Sequence, residues 1–234
     1  MLREIIKASV MYPGISVTNH LRQAIENKRR RGWPYCPSDE GDLLYWLAKE
    51  KPDCDALEVG FATGSTAIYI LSGLDSGRLV SIDYAQNEYD REGVALVENL
   101  GLSARHELIE NNSSIALPHI FESGRQFNLI FMDGWKTFDH IWVDTFFCSR
   151  MLNLGGYIVF DDARMPAVRK CISILRTYYE FEFVDSYLRV GGWKQRLWHW
   201  LSTRSHFPPY IALKKVRDIG ETNAGRCFDY WKSF

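Results

Sequence analysis

The stretch Ala56-Leu57-Glu58-Val59-Gly60-Phe61-Ala62-Thr63-Gly64-Ser65-Thr66-Ala67-Ile68-Tyr69-Ile70 decides the fold. Ala56 to Val59 is a short apolar run broken by one acid, as a buried strand would be, and Gly60 ends it. Ala67, Ile68, Ile70, Leu71 and Leu74 then recur at helical spacing. Gly60 and Gly64 allow backbone angles and close approaches that a side chain forbids. The expected unit is strand, tight turn, helix, with bare backbone N–H groups at the helix start where a nucleotide-like ligand can approach.

Working outward, four more segments read as strands that end in acids or amides. Gly77-Arg78-Leu79-Val80-Ser81-Ile82-Asp83 ends in Asp83, and His106-Glu107-Leu108-Ile109-Glu110 leads into Asn111-Asn112. Gln126 to Met132 ends in Asp133, and Gly155 to Phe160 ends in Asp161-Asp162. Helical patterns lie between them at Glu92–Leu100, at Ser113 to Leu117-Pro118, and at Trp135–Leu154. Alternating strands and helices predict an α/β domain built on a mostly parallel sheet, whose ligands bind at the C-terminal ends of the strands. Asp83, one strand-helix unit beyond the glycine turn, suits the two hydroxyls of a ribose, and it suits a helix cap as well. Three carboxylates converging at Asp133, Asp161 and Asp162 repel one another unless a cation or protons neutralise them. Hard oxygen donors on an open site suit Mg²⁺; the alternative is a helix cap beside a solvated pair.

The turn resembles motif I of the class I S-adenosylmethionine-dependent methyltransferases, an acid-x-Gly-x-Gly-x-Gly pattern read here as Glu58-x-Gly60-x-Ala62-x-Gly64, with alanine in the middle glycine's place. The resemblance runs from about Asp39 to Val216, and the nearest types are small-molecule O-methyltransferases of the catechol and antibiotic-sugar kinds. It implies a Rossmann-like seven-stranded sheet, mostly parallel with an antiparallel last strand and helices on both faces. Tyr179–Val184 and Tyr210–Val216 would form the closing pair. It implies S-adenosyl-L-methionine as cofactor, held by Glu58, Gly60, Phe61, Ala62, Thr63, Gly64, Ser65, Asp83, Asn112 and Asp133, with Asn112 standing where an aspartate commonly meets the adenine amine. It also implies Mg²⁺ on Asp133, Asp161 and Asp162, and a hydroxylated small-molecule acceptor beside Asp133.

Related enzymes often carry Asp-Gly-x-His-x-Tyr where this chain reads Asp133-Gly134-Trp135-Lys136-Thr137-Phe138. The candidate catalytic residues are therefore Asp133, Lys136 and His140: Lys136 as a general base if its pKa is lowered, or His140 four residues on, sharing a helix face with it. A metal-independent enzyme using one of these bases remains the nearest alternative. From other classes come an NAD-type oxidoreductase, which the glycine spacing disfavours, and a non-catalytic binding protein docking through Trp193 to Trp200.

Composition sets the outer bounds. At 234 residues, with 46% hydrophobic and 24% charged residues, the chain suits one globular α/β domain with a helical appendage. A net charge of −1 shows no nucleic-acid footprint, and Lys28-Arg29-Arg30-Arg31 reads as a solvated last helical turn. Cys36, Cys54, Cys148, Cys171 and Cys227 are scattered, which argues against a disulfide framework or a zinc site and for a reducing compartment. Met1 to Lys7 holds no sustained apolar run and no other stretch approaches spanning length, so a cytoplasmic protein is expected. The expected organisation is a helical cofactor lid at residues 1–50, the binding domain at 51–216 with an aromatic and basic insertion at 190–209, and a packed tail at 217–234. Acceptor lid or homodimer contact is the expected role of that insertion.

Overall fold

The computed structural model describes residues 31–179, 181–184 and 208–217. The expected helix through Leu21, Ala24 and Ile25, most of the Trp-rich insertion and the tail aromatics lie outside these residues. The elements run α1 (Ser38–Lys49), β1 (Ala56–Val59), α2 (Ser65–Gly73), β2 (Leu79–Ile82), α3 (Glu92–Asn99), β3 (His106–Ile109), α4 (Ser113–Glu122), β4 (Phe127–Met132), α5 (Phe138–Met151), β5 (Leu152–Phe160), α6 (Pro166–Tyr178), β6 (Phe181–Phe183) and β7 (Ile211–Lys215).

Seven strands form one sheet in the order β3-β2-β1-β4-β5-β7-β6. The pairs from β3 through β5 are parallel, whereas β7 runs antiparallel to both β5 and β6. This is the expected Rossmann-like architecture with its closing pair. The order reverses beside β1, and there the carboxyl ends of β1, β2 and β4 open a crevice for a ligand.

Both faces of the sheet are covered, so its central strands are largely apolar rather than alternating. One core layer packs Leu57, Val59, Ile130 and Met132 under α4 to α6; the other packs Ala56, Leu129, Phe131 and Val159 under α1 and α2. In the second layer α1 lies close against α2, because a side chain at Gly41 would fall 2.3 Å from the Tyr69 ring.

Two boundaries differ from expectation. The fourth helix does not stop at Leu117-Pro118 but runs on to Glu122 with Pro118 inside it. The proline removes a single intrahelical bond, and Ala116, Leu117 and Ile120 bury a face that holds the helix together past it. β5 begins at Leu152 rather than Gly155, since Leu152 pairs with Phe127 before a register shift brings Tyr157 opposite Leu129.

Candidate active site

β1 delivers the chain to the sheet edge and the turn after it is tight. Gly60 has φ +95°, and a Cβ there would lie 2.3 Å from the carbonyl oxygen of Asp133. The ends of β1 and β4 are thus in backbone contact, possible only with glycine at 60. Ala62, in the middle glycine's place of the motif, also takes a positive φ, 44°, and Gly64 caps α2 at φ 72°. Across this turn lies the segment Trp33 to Pro37. The Thr63 hydroxyl donates to the Pro34 carbonyl at 2.8 Å, and the Cys36 N–H donates to Ser65 Oγ at 2.9 Å. Thr63 and Ser65 are therefore buried under a strap.

Asp83 closes the turn from the β2 side. One carboxylate oxygen accepts the N–H groups of Phe61 at 3.0 Å and Ala62 at 2.7 Å; the other accepts that of Ala85 at 2.6 Å. A carboxylate has about four acceptor sites, so capacity remains for a ligand hydroxyl. Asn112 caps α4, its Oδ1 accepting both the N–H and the hydroxyl of Ser114 at 2.9 and 2.8 Å. That oxygen already serves the cap, so an adenine amine would share it with Ser114. Its Nδ2 is a donor beside the same turn.

Glu58 stands differently from its expected place at the cofactor surface. It is fully buried inside the sheet, directly opposite Ser81 in the β1–β2 register. Thr66 Oγ1 donates to one oxygen and Ser81 Oγ, at 2.7 Å, to the other. Ser81 Oγ also meets His106 Nε2 at 2.9 Å, and the His106 ring stacks on Phe61 with centroids 5.0 Å apart. Burial pushes Glu58 up to about 8, against the pull of its two hydroxyl partners, and it drives His106 down to about 4. At neutral pH this is an uncharged network beneath the turn. The Phe61 side chain belongs to it, so only the Phe61 backbone faces the cradle.

At the ends of β4 and β5 the expected acids meet. One oxygen from each of Asp133, Asp161 and Asp162 lies within 4.8 Å of the others. Asp162 has φ 53°, a left-handed conformation that aspartate tolerates better than most residues. Lys136 reaches into the cluster, its Nζ 2.6 Å from Asp133 Oδ1 and 3.7 Å from Asp162 Oδ2. Burial lowers the Lys136 pKa, but the pull of Asp133, Asp161 and Asp162 outweighs it and the net shift is upward. The expectation of a lysine base with lowered pKa is thus corrected: among these acids Lys136 is an ammonium. Asp133 is itself shifted upward, by burial and by Asp161 against the opposing Lys136, and its 38% exposed side chain lets water soften the burial effect.

His140 does not join them by any direct contact. Lys136 precedes α5 rather than sharing its face, while His140 Nδ1 lies 2.9 Å from Thr137 Oγ1 and 3.4 Å from Asp139 Oδ1.

Sequence reasoning missed four residues of this region: Ser81, Thr66, His106 and Asp144. Ser81 had only a faint signal, a lone hydroxyl in an apolar strand, because its register with Glu58 is set by pairing across the sheet. Asp144 had none. It is 1% exposed, and burial raises it to about 6 despite Ser113, His140 and Lys136, which favour its charge. It lies behind Gly134, where a side chain would press on Asp144 Oδ2 at 3.2 Å.

Three comparisons bear on this geometry. A family model described as a methyltransferase domain matches residues 57–163, from β1 to just past the acids. A protein of Arabidopsis thaliana named as a caffeoyl-CoA O-methyltransferase is 28% identical over 130 residues, 54% of this chain and 53% of its own. The chain spans about half the length of that relative. Among solved structures, the O-methyltransferase TomG from Streptomyces achromogenes, in complex with S-adenosylmethionine, superposes with a TM-score of 0.60 at 21% identity. That match covers 70% of this chain and 81% of TomG. An O-methyltransferase from Bacillus cereus in complex with S-adenosylhomocysteine gives 0.64 at 17% identity, covering 79% and 91%. These two show the fold. No helix among the described residues is long and apolar enough to cross a membrane.

Proposed function

We infer that this chain, with a methyltransferase domain at residues 57–163 on the class I fold, is an S-adenosylmethionine-dependent enzyme that methylates a hydroxyl oxygen of a small molecule. The observation that carries the reading is the contact between the glycine turn and the acid cluster: Gly60 sits so close to the Asp133 carbonyl that a Cβ would stand 2.3 Å from it. A donor cradled by one and an acceptor held by the other are brought side by side.

The chain's own residues divide the work. Asp83 holds the ribose, the Asn112 amide donates to the adenine, and Glu58 with Thr66 and Ser81 braces the turn from below. Asp133, whose proton affinity is raised, accepts the proton of the acceptor hydroxyl, and the Lys136 ammonium beside it holds the oxyanion that forms. That oxygen bonds to the methyl carbon as the carbon–sulfur bond breaks, and the bonding pair stays on sulfur. Opposite charges are consumed, so a site that excludes water speeds the step. The strap through Pro34 and Cys36 covers that end of the turn and serves as part of the cofactor lid.

The donor set fits a divalent cation. Asp133, Asp161 and Asp162 are the residues that would hold it, Mg²⁺ by oxygen-donor type, and when bound it supplies Lewis acidity toward the acceptor oxygen. The cysteines Cys36, Cys54, Cys148 and Cys171 are free, which suits a reducing compartment such as the cytoplasm.

Methyl transfer from labelled S-adenosylmethionine to a panel of hydroxylated small molecules, with and without chelator, tests the reading. Asp133→Ala is expected to abolish transfer while calorimetry still shows S-adenosylhomocysteine binding. Absence of binding for both the methyl donor and its demethylated product would refute it.

A further inference from the structure

The acid cluster contains its own cation. Three carboxylates supply oxygens within 4.8 Å of one another, the spacing a single small cation would draw together. Lys136 Nζ already stands among them, 2.6 Å from Asp133 and 3.7 Å from Asp162. Its side chain is only 12% exposed, so the ammonium is held inward instead of lying along the surface. The residue is placed there by the turn after β4, since Asp133 and Lys136 are three positions apart and α5 starts two residues later. An ammonium at hydrogen-bond distance from Asp133 Oδ1 uses a lone pair that a metal would also need. Each also loses favourable charge when the other is present.

We propose that Lys136 is a tethered competitor for the cation position of the Asp133–Asp161–Asp162 cluster, so that a divalent ion binds only as the lysine withdraws from the acids. The proposal rests on the reading that these acids can hold a divalent ion, and it adds a consequence for affinity. Metal binding is weak in the resting protein and is coupled to movement of one side chain. When the ion is bound, the lysine is freed from Asp133 and its ammonium is available elsewhere at the same rim. When the ion is absent, the ammonium offsets part of the cluster's negative charge, so the three carboxylates repel one another less than they would alone.

The test uses the full chain without cofactor or acceptor and Mn²⁺ as the probe, with free Mn²⁺ read by electron paramagnetic resonance. Lys136→Met keeps the length of the side chain and removes the ammonium. It is expected to bind Mn²⁺ about tenfold or more tightly than the wild type, the size of effect lost with one charge-assisted hydrogen bond. Lys136→Arg, which keeps a cation at the position, is expected to bind no more tightly than the wild type. A second readout follows the lysine directly: the ¹⁵N-labelled Lys136 ammonium is expected to give a protected proton signal in the metal-free protein that disappears on saturation with Mg²⁺. Equal Mn²⁺ affinities within twofold for wild type and Lys136→Met would overturn the proposal, as would an ammonium signal unchanged at saturating Mg²⁺. Failure of both proteins to bind Mn²⁺ would also overturn it. S-adenosylhomocysteine titrated into the same samples reports separately on the methyltransferase reading, which stands if that ligand binds and the metal does not.

Discussion

Replacing Glu58 by glutamine should change how stability depends on pH. Glu58 is fully buried, and its pKa stands at about 8 in the folded chain against an ordinary 4.5. A raised pKa means the folded state binds the proton more tightly than the unfolded state. The stability this contributes is complete below about pH 4.5 and is lost as pH rises toward 8. At roughly 1.4 kcal/mol per unit the whole span is about 5 kcal/mol, of which about half falls between pH 5 and 7. Glutamine cannot titrate, yet its amide can still satisfy the site. One hydroxyl donates to Oε1 while the other accepts from Nε2, and Ser81 then donates to His106 in place of accepting. Urea unfolding of both proteins at pH 5, 6, 7 and 8 measures the difference. Comparing the two proteins cancels the other raised acids, Asp133 and Asp144, which titrate in both. Glu58→Gln should gain on the wild type by about 2 to 3 kcal/mol between pH 5 and 7. A difference constant within about 0.5 kcal/mol over that range would show Glu58 ionised in the core and refute the uncharged network.

The cradle gives further expectations. Gly60→Ala forces a Cβ to 2.3 Å from the Asp133 carbonyl at φ +95°, and it should cost at least about 2 kcal/mol in thermal or urea unfolding. Ala62→Gly does the opposite. Relief of a left-handed alanine, about 1 kcal/mol, outweighs the added freedom of the unfolded chain, so a small rise in Tm is expected with S-adenosylhomocysteine affinity unchanged. Asp83→Asn keeps one acceptor oxygen, for the Phe61 and Ala62 N–H groups, but turns an amide N–H toward that of Ala85; calorimetry should show the same ligand bound about tenfold or more weakly in a protein with an unaltered circular dichroism spectrum.

Much of the architecture was legible because the relevant signals are local. Gly60 and Gly64 punctuate a strand and a helix, and each acid that ends a strand marks its carboxyl edge, so Asp83, Asp133, Asp161 and Asp162 arrive at one rim once the strands run parallel. What the sequence did not disclose depends on pairing across the sheet or on packing between helices. Glu58 looks the same in the sequence whether it points at a ligand or into the core. Its partners, Ser81 on β2 and Thr66 on α2, lie 23 and 8 positions away. Lys136 was legible as a residue of the rim but not in its charge state, because that is decided by three acids drawn from two strands. Asp144 sits on an apolar helix face where a carboxylate has no sequence pattern to announce it.

The two ends of the site are built on different principles, and this bears on how it works. At the end proposed for adenosine the positions are fixed by backbone: three N–H groups aim one carboxylate, and a neutral buried network supports the turn from behind. Such groups need little reorganisation when a ligand arrives, so binding energy is conserved for the donor. At the reacting end nothing is fixed in this way. Three acids and one lysine share a small volume, and their protons and charges are mutually dependent, so any group brought among them, whether a hydroxyl or a cation, redistributes charge over all four. On the proposed function, a rigid cradle joined through Gly60 to a responsive charge cluster would let donor binding be insensitive to the acceptor, while the acceptor's proton would be handled by groups that respond to its arrival.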